Sequence, residues 1–126
     1  MMQGAAERTG WGVFKGSSAE PTIPELLKAL ADPTRWEIVK QLAQQEEVAC
    51  TTLEEILPIS KSTISYHIKI LYHAAVLEIR REGRFFFYRL RRDVLVDVMR
   101  ELIEDLGMSG EVETAPALAS AAAAAS

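Results

Sequence analysis

A segment near the middle of the chain combines small hydroxyl and cationic side chains with a helical spacing of apolar residues. Ile64, Ile68 and Leu71 recur at i, i+4 and i+7, which predicts an amphipathic helix with an inward apolar face. Most of the polar residues then fall on the opposite face, where they can donate hydrogen bonds to base edges and phosphates. The candidate DNA-contacting residues of this helix are Ser60, Lys61, Ser62, Thr63, Ser65, Tyr66, His67 and Lys69.

A second cluster of cations surrounds a glycine a short distance further along the chain. Arg80, Arg81 and Arg84 flank Gly83, and the stretches 76–81 and 84–90 are rich in β-branched and aromatic residues. Partial alternation around a central glycine predicts a β-hairpin with a basic tip. The three arginines would reach the phosphates or the minor groove beside the site contacted by the helix.

Capping signals in the sequence predict where the helices that position these residues begin. Thr22 with Glu25, Asp32 before Pro33, Thr51 with Glu54, and Ser60 each predict a helix start. Pro58 ends the short third helix, so that helix, turn and helix follow one another as in a helix-turn-helix. Residues 48–50 read as short and extended, and a last helix is predicted from about Arg92 to Leu106.

The charge of the chain is unevenly distributed. The 126 residues carry a net charge of −4, which by itself argues against a nucleic-acid partner. Residues 61–92, however, hold eight basic and two acidic side chains, a net charge of +6, and the remainder carries −10. A solvated basic face would explain this segment alone, but its coincidence with the predicted helix and hairpin favours a DNA-binding surface.

The length fits one domain with two flanking tails. We expect residues 1–20, which are Gly- and Ser-rich, to form a flexible arm. Its Trp11 and Phe14 would dock on the domain or on a partner, or have no role. Residues 21–107 would form the domain, and residues 108–126 a disordered Ala-rich tail. Without an apolar run long enough to span a bilayer or a recognisable signal peptide, we expect a cytoplasmic protein without a membrane partner.

The fold class predicted from these elements is α+β, mostly α: a winged helix-turn-helix with a β-hairpin wing. The last helix carries a wide apolar stripe that a small domain can hardly cover, so a homodimer through the first and last helices is expected. The alternative is that the first helix covers this stripe within one chain. The candidate interface residues are Leu26, Leu27, Leu30, Leu95, Val98, Met99, Leu102, Ile103 and Leu106.

Three motifs resemble those of the ArsR/SmtB family. Residues 60–68 followed by Leu71, Ala74 and Val76-Leu77 are similar to the S-x-S-T-V-S-x-H-L-x-x-L-x-x-A-G-L-V signature of that family. Residues 81–90 resemble its R-E-G-R-x-x-x-Y-x-L wing, and residues 31–35 its L-A-D-P-T-R helix start. The resemblance covers about residues 22–106. It implies a prokaryotic transcription factor, dimeric through its first and last helices and usually a repressor released by a signal.

The departures from the family pattern concern metals and one helix end. The metal box E-L-C-V-C-D-L aligns with residues 47–53, where Ala49 and Thr51 replace the two thiolates. The last helix lacks the Asp/His ligand set of the family, because no histidine follows His73. We therefore expect no metal site and no cofactor. The family's Ala-Gly is Ala74-Ala75 here, so the recognition helix loses its usual glycine cap.

Several functional alternatives stay open at the level of sequence. Cys50, the single cysteine, fits a small apolar residue of a short buried strand or a one-cysteine redox sensor. His67 fits packing or a phosphate contact better than metal ligation. A small organic effector, oxidation of Cys50 or no effector would each suit a repressor that binds an inverted-repeat operator. A protein–protein interaction module without DNA binding is the alternative function. No nucleophile–base pair or phosphate loop points to an enzyme.

Overall fold

The computed structural model describes residues 21–108 and 110, in which five helices and three strands follow one another. The predicted arm, with Trp11 and Phe14, and the predicted tail beyond Gly110 lie outside the described residues. The elements in chain order are α1 (Ile23–Leu30), α2 (Pro33–Leu42), β1 (Val48–Ala49), α3 (Cys50–Ile56), α4 (Lys61–His73), β2 (Leu77–Glu82), β3 (Phe85–Leu90) and α5 (Arg92–Asp105). This mostly helical chain with a small antiparallel sheet confirms the predicted fold class.

Three of the four predicted N-cap residues make a capping hydrogen bond at the start of their helix, as the sequence indicates. The side chains of Thr22, Asp32 and Ser60 accept hydrogen bonds from the backbone N–H groups three residues later. The cap predicted at Thr51 is wrong, because α3 begins at Cys50 with Ala49 at its N-cap and no side-chain cap. The reason is β1, which holds Ala49 in extended backbone and runs directly into the helix.

The β-hairpin wing, β2 and β3, belongs to a three-stranded antiparallel sheet in the order β1-β3-β2. The predicted hairpin pairs Leu77 with Leu90 and Glu82 with Phe85, and Gly83 turns it with a φ of 63°. Positive φ at the first central residue only is the pattern of a type II′ turn, which glycine adopts without strain. The segment predicted only as extended adds β1 to this sheet, because Val48 pairs with Tyr88.

The core lies between the helices and the inner face of the wing. Its fully buried large side chains come from every helix except α5, and from the start of the wing. They are Leu26, Ile38, Leu42, Leu53, Ile64, Leu71, Val76 and Leu77. The helix α4 is therefore seated on the core by the apolar face that its sequence predicts, and its polar face is left outward.

The connection between α4 and β2 contains an alanine in the left-handed backbone conformation. Ala75 has a φ of 62°, and its N–H donates to the Tyr72 carbonyl at 3.0 Å while the Val76 N–H donates to the Leu71 carbonyl at 3.0 Å. These two bonds form a Schellman motif, whose left-handed residue is usually glycine. The chain thus keeps the turn that the missing glycine would make, at a cost of about 1–2 kcal/mol for an L-residue.

No helix in the described part of the chain is both long and apolar enough to cross a membrane.

Candidate nucleic-acid interface

The exposed face of α4 carries most of the predicted DNA-contacting residues. The turn at residues 57–60 separates α3 from α4 and gives the pair its helix-turn-helix arrangement. Ile64, Ile68 and Leu71 point into the core, so their opposite face is presented to solvent. The exposed residues of the predicted set are Ser60, Lys61, Ser62, Ser65, Tyr66 and Lys69, and Thr63 is half-buried.

Hydroxyl groups cluster at the first turn of α4. The Ser60 Oγ lies 2.9 Å from the Thr63 Oγ1 and 3.1 Å from the Ser62 Oγ, and it also accepts the Thr63 N–H. Hydroxyls can donate and accept, so this cluster can turn toward phosphate or base-edge groups without breaking the helix cap. Tyr66, 61% exposed, adds the one large side chain on this face.

His67 does not lie on the exposed face with these residues. The side chain is buried, and its Nδ1 lies 3.2 Å from the Nη1 of Arg35 on α2. A guanidinium only donates, so Nδ1 accepts and the ring carries its proton on Nε2. Arg35 also donates through Nε to the Ala29 carbonyl at 2.7 Å. Through Arg35, His67 therefore ties α4 to α1 and α2, which fits the packing alternative better than a DNA contact.

The three wing arginines divide into two groups. Arg81 and Arg84 are exposed beside the turn, as predicted. Arg80 is held within the wing: its guanidinium lies 2.6 Å from Glu47 and 3.0 Å from Glu82, and 4.3 Å from the centre of the Phe87 ring. These carboxylates raise the pKa of Arg80 above its ordinary value. Glu47, thirty-three positions earlier, and the neighbouring Glu82 thus hold Arg80 against the sheet, so that it does not extend at the tip.

Ion pairing concentrates the basic charge on α4 and the wing tip. Besides Arg80, Arg89 pairs with Glu78 at 2.8 Å, and Arg91 pairs with Asp93 at 3.0 Å. Within the described residues, the other basic side chains of 61–92 form no ion pair: Lys61, Lys69, Arg81, Arg84 and Arg92. Arg92, at the start of α5, donates to the Ala43 carbonyl. The other four cations belong to α4 and the tip, where Arg81 donates to the Gly83 carbonyl at 2.9 Å.

The wing tip lies next to the start of α4. Lys61, Arg84 and Phe85 border one small crevice together with Cys50 and Glu54 of α3. The cations at the beginning of the recognition helix and at the tip of the wing are therefore neighbours on one side of the molecule. A duplex lying against this side would meet both elements at once.

Cys50 sits in a setting that disfavours a reactive thiol. It is the first residue of α3 and not part of a strand, and it is buried with 6% of its surface exposed. Burial raises the pKa of the thiol, and the nearby Glu54 carboxylate raises it further. Redox-sensing cysteines need the opposite, exposure and a lowered pKa. The geometry therefore supports the structural interpretation of this residue.

Metal ligands do not gather within residues 21–108 and 110. No group of three or more His, Cys, Asp or Glu side chains is close enough there to hold an ion.

The candidate dimer residues fall into three classes of exposure. Leu26 and Val98 are buried inside this chain, because α1 packs against α5, and they are not available to a partner. Leu27 and Leu106 are exposed. The half-buried remainder is Leu30, Leu95, Met99, Leu102 and Ile103. Val96 of α5 is also exposed, and its spacing of three residues to Met99 would add it to the candidate set.

A helix-turn-helix with outward donors, followed by a basic-tipped hairpin, defines a winged-helix DNA-binding protein. A helix-turn-helix domain family model matches residues 30–80. The transcriptional repressor SmtB homolog of Synechocystis sp. is 33% identical over 84 residues, which cover 67% of this chain and 63% of that relative. The transcriptional repressor SdpR of Bacillus subtilis is 38% identical over 72 residues, 57% of this chain and 79% of the relative.

Solved structures agree with these relatives. An ArsR-like transcriptional regulator from Rhodococcus sp. RHA1 has a TM-score of 0.61 at 28% identity, covering 75% of this chain and 87% of that one. A possible transcriptional regulator for arsenical resistance has a TM-score of 0.58 at 31% identity, covering 72% and 96%. The chain belongs to the ArsR/SmtB family of winged helix-turn-helix transcriptional regulators.

Proposed function

We propose that the protein is a homodimeric repressor that binds an inverted-repeat operator in a sequence-specific manner. The observation that carries this proposal is the placement of the α4 donors beside the four cations that form no ion pair with described residues. The major groove, about 12 Å wide, admits one α-helix, and the wing tip then faces the flanking phosphates. Relatives named as repressors support the direction of regulation.

The dimer is supported by an apolar seam on α5. Val96, Met99, Ile103 and Leu106 follow a spacing of three, four and three residues, which places them along one side of the helix. Val96 and Leu106 are 51% and 63% exposed, although both are large apolar residues. A second α5 packed along this seam, with Leu27 of α1 at its border, would cover them and place two recognition helices on one side of a dimer.

The charge distribution sets the expected salt dependence. Lys61, Lys69, Arg81 and Arg84 offer four phosphate contacts per protomer, so a dimer would release counterions from about eight phosphates. The logarithm of the association constant should then fall with a slope of about −7 against the logarithm of salt concentration. Between 50 and 200 mM salt the affinity should drop by about 10⁴.

The decisive experiment selects bound duplexes from a random pool and then measures the selected operator by fluorescence anisotropy across salt concentrations. Arg84→Gln should reduce the slope by about 2 per dimer, since each lost phosphate contact is worth about 0.9. Arg89→Gln is the matched control, because this arginine pairs with Glu78 and lies away from the tip. Lys61→Ala should weaken binding to all duplexes and lower the salt slope, whereas Ser65→Ala should weaken binding and relax sequence preference.

Two results would contradict the DNA proposal. Equal salt slopes for Arg84→Gln and Arg89→Gln would show that the wing tip does not contact phosphate. A protein that binds no duplex of any sequence at low salt would instead favour a protein–protein interaction module. The selected operator also tests symmetry, because a dimer requires half-sites about one helical turn apart.

Sedimentation of the free protein tests the dimer separately. Ile103→Glu places a charge in the α5 seam and should shift the protein to a monomer. Glu104→Lys, a charge change on an exposed position outside the seam, should leave the dimer intact. Monomers in both wild type and control would refute the proposed interface.

We further propose that the protein works without catalytic activity and in the cytoplasm, where the DNA of a prokaryote lies. The replacement of both box thiolates by Ala49 and Thr51, and the raised pKa of Cys50, favour a signal that is neither a thiolate-bound metal nor oxidation of Cys50.

A further inference from the structure

An apolar groove separates the recognition helix from the wing. Its volume is about 280 Å³, near the lower end of the roughly 300–1,000 Å³ typical of small-molecule sites. One wall is formed by α4 and the other by the hairpin, with no acidic residue among those that line it. The lining residues are Ser65, Ile68, Lys69, Tyr72, His73, Ile79, Phe86 and Tyr88.

The chemistry of the walls specifies an occupant with a flat apolar body and one negative charge. Three aromatic rings, those of Tyr72, Phe86 and Tyr88, border the groove, and such faces favour a ring packed between them. Lys69 supplies a cation at the rim and forms no ion pair with any described residue. Glu78, whose charge acts on Tyr72, is already paired with Arg89 at 2.8 Å.

We propose that this groove binds a small aromatic carboxylate and that its occupation excludes operator DNA. Ser65 and Lys69 belong both to the groove and to the exposed face of α4. A ligand whose carboxylate holds Lys69 would withdraw that cation from phosphate and add a negative charge to the DNA-facing surface. The second part of this inference rests on the proposed function, whereas ligand binding does not.

Ligand binding is tested by adding 2-naphthoate, or its uncharged analogue 2-naphthamide, to the full-length protein. Changes in the backbone amide chemical shifts report the binding. We expect shift changes at Ser65, Lys69 and Phe86, with 2-naphthoate bound more tightly than 2-naphthamide. Ile79→Trp fills the groove and should lower the affinity for 2-naphthoate at least tenfold. Ile56→Trp is the matched control, because Ile56 is exposed on α3 and does not line the groove.

Further measurements test the contribution of the Lys69 charge, provide a second groove-filling variant and test the effect of the ligand on operator binding. Lys69→Gln should bring the affinity for 2-naphthoate down to that for 2-naphthamide. If Ile79→Trp does not fold, Phe86→Trp fills the same groove from the other strand. In anisotropy titrations, 2-naphthoate should weaken operator binding by the wild type and by Ile56→Trp, and not by the groove-filled variant.

The outcomes distinguish the two proposals. Equal affinities of 2-naphthoate for all variants, or shift changes confined to other elements, would overturn the groove as a ligand site. Nuclear Overhauser contacts from Phe86 to Trp11 or Phe14 would also overturn it, because the groove would then hold the chain's own segment. Failure to bind any DNA would refute the proposed function while leaving the ligand measurement intact.

Discussion

The contact between Arg35 and His67 provides a direct test of how α4 is held in place. Arg35→Met keeps the apolar stem but removes the bonds to the Ala29 carbonyl at 2.7 Å and to the His67 Nδ1 at 3.2 Å. Hydrogen bonds from a charged group contribute about 1.5–3 kcal/mol each. Because the site is only partly buried, we expect the two hydrogen bonds of Arg35 together to contribute about 2–4 kcal/mol to the free energy of unfolding.

A double-mutant cycle isolates the contact itself. Arg35→Met, His67→Leu and the double variant are unfolded in urea at one protein concentration, so that association does not change the comparison. Once either partner is gone the other cannot lose the bond again, so the double variant should cost about 1 kcal/mol less than the sum of the singles. Lys40→Met is the control: its exposed pair with Glu37 should change stability by at most about 0.5 kcal/mol.

Additive single effects, within about 0.5 kcal/mol, would refute the reasoning and would mean that Arg35 acts only through the Ala29 carbonyl. A large loss in Lys40→Met would show instead that α2 is sensitive to any change on its surface.

Three further predictions concern a cap, the cysteine and the turn. The Arg35 N–H holds the pKa of Asp32 below its ordinary value of 3.8, so this stabilisation is present above that value and is lost as pH falls through the folded-state pKa. Asp32→Asn still caps the helix but does not titrate, so the free energy of unfolding measured in urea should fall less steeply toward acid pH than in the wild type. An unchanged pH dependence would contradict the role given to the Asp32 carboxylate. Cys50 should react with a thiol reagent at pH 8 far more slowly in the native than in the urea-unfolded protein; equal rates would show an accessible thiolate. Gly83→Ala should cost about 1–2 kcal/mol by its positive φ alone, since a Cβ there meets nothing within 4 Å, and Gly83→Asn should cost less; a neutral Gly83→Ala would argue against the turn geometry.

Local signals predicted the helices of this chain well. Ser60 caps α4 because its hydroxyl needs only the backbone three residues ahead, and the spacing of Ile64, Ile68 and Leu71 needs only a core beneath it. The same kind of signal failed at Thr51, because the pairing of β1 with a strand almost forty residues away moved the N-cap two residues earlier, to Ala49.

The unexpected positions of Arg80 and His67 have a common physical origin in long-range contacts. Arg80 lies beside the tip in sequence, but Glu47 and the Phe87 ring draw it onto the sheet. His67 belongs to the motif that supplies the outward donors, yet it is buried and its partner is Arg35, thirty-two positions earlier. Neither partner can be inferred from local spacing, since both depend on how the hairpin and α2 pack against the helix-turn-helix.

The two-residue strand β1 makes the wing and the helix-turn-helix one mechanical unit. Val48 and Ala49 pair with Tyr88 and Phe87 on the wing and lead without a loop into α3 at Cys50. A displacement of the wing is therefore passed to α3 through backbone hydrogen bonds. The amides of β1 and β3 should exchange with solvent in a single opening event, after those of the hairpin tip. We therefore expect the wing and the helix-turn-helix to move together when the protein binds its site.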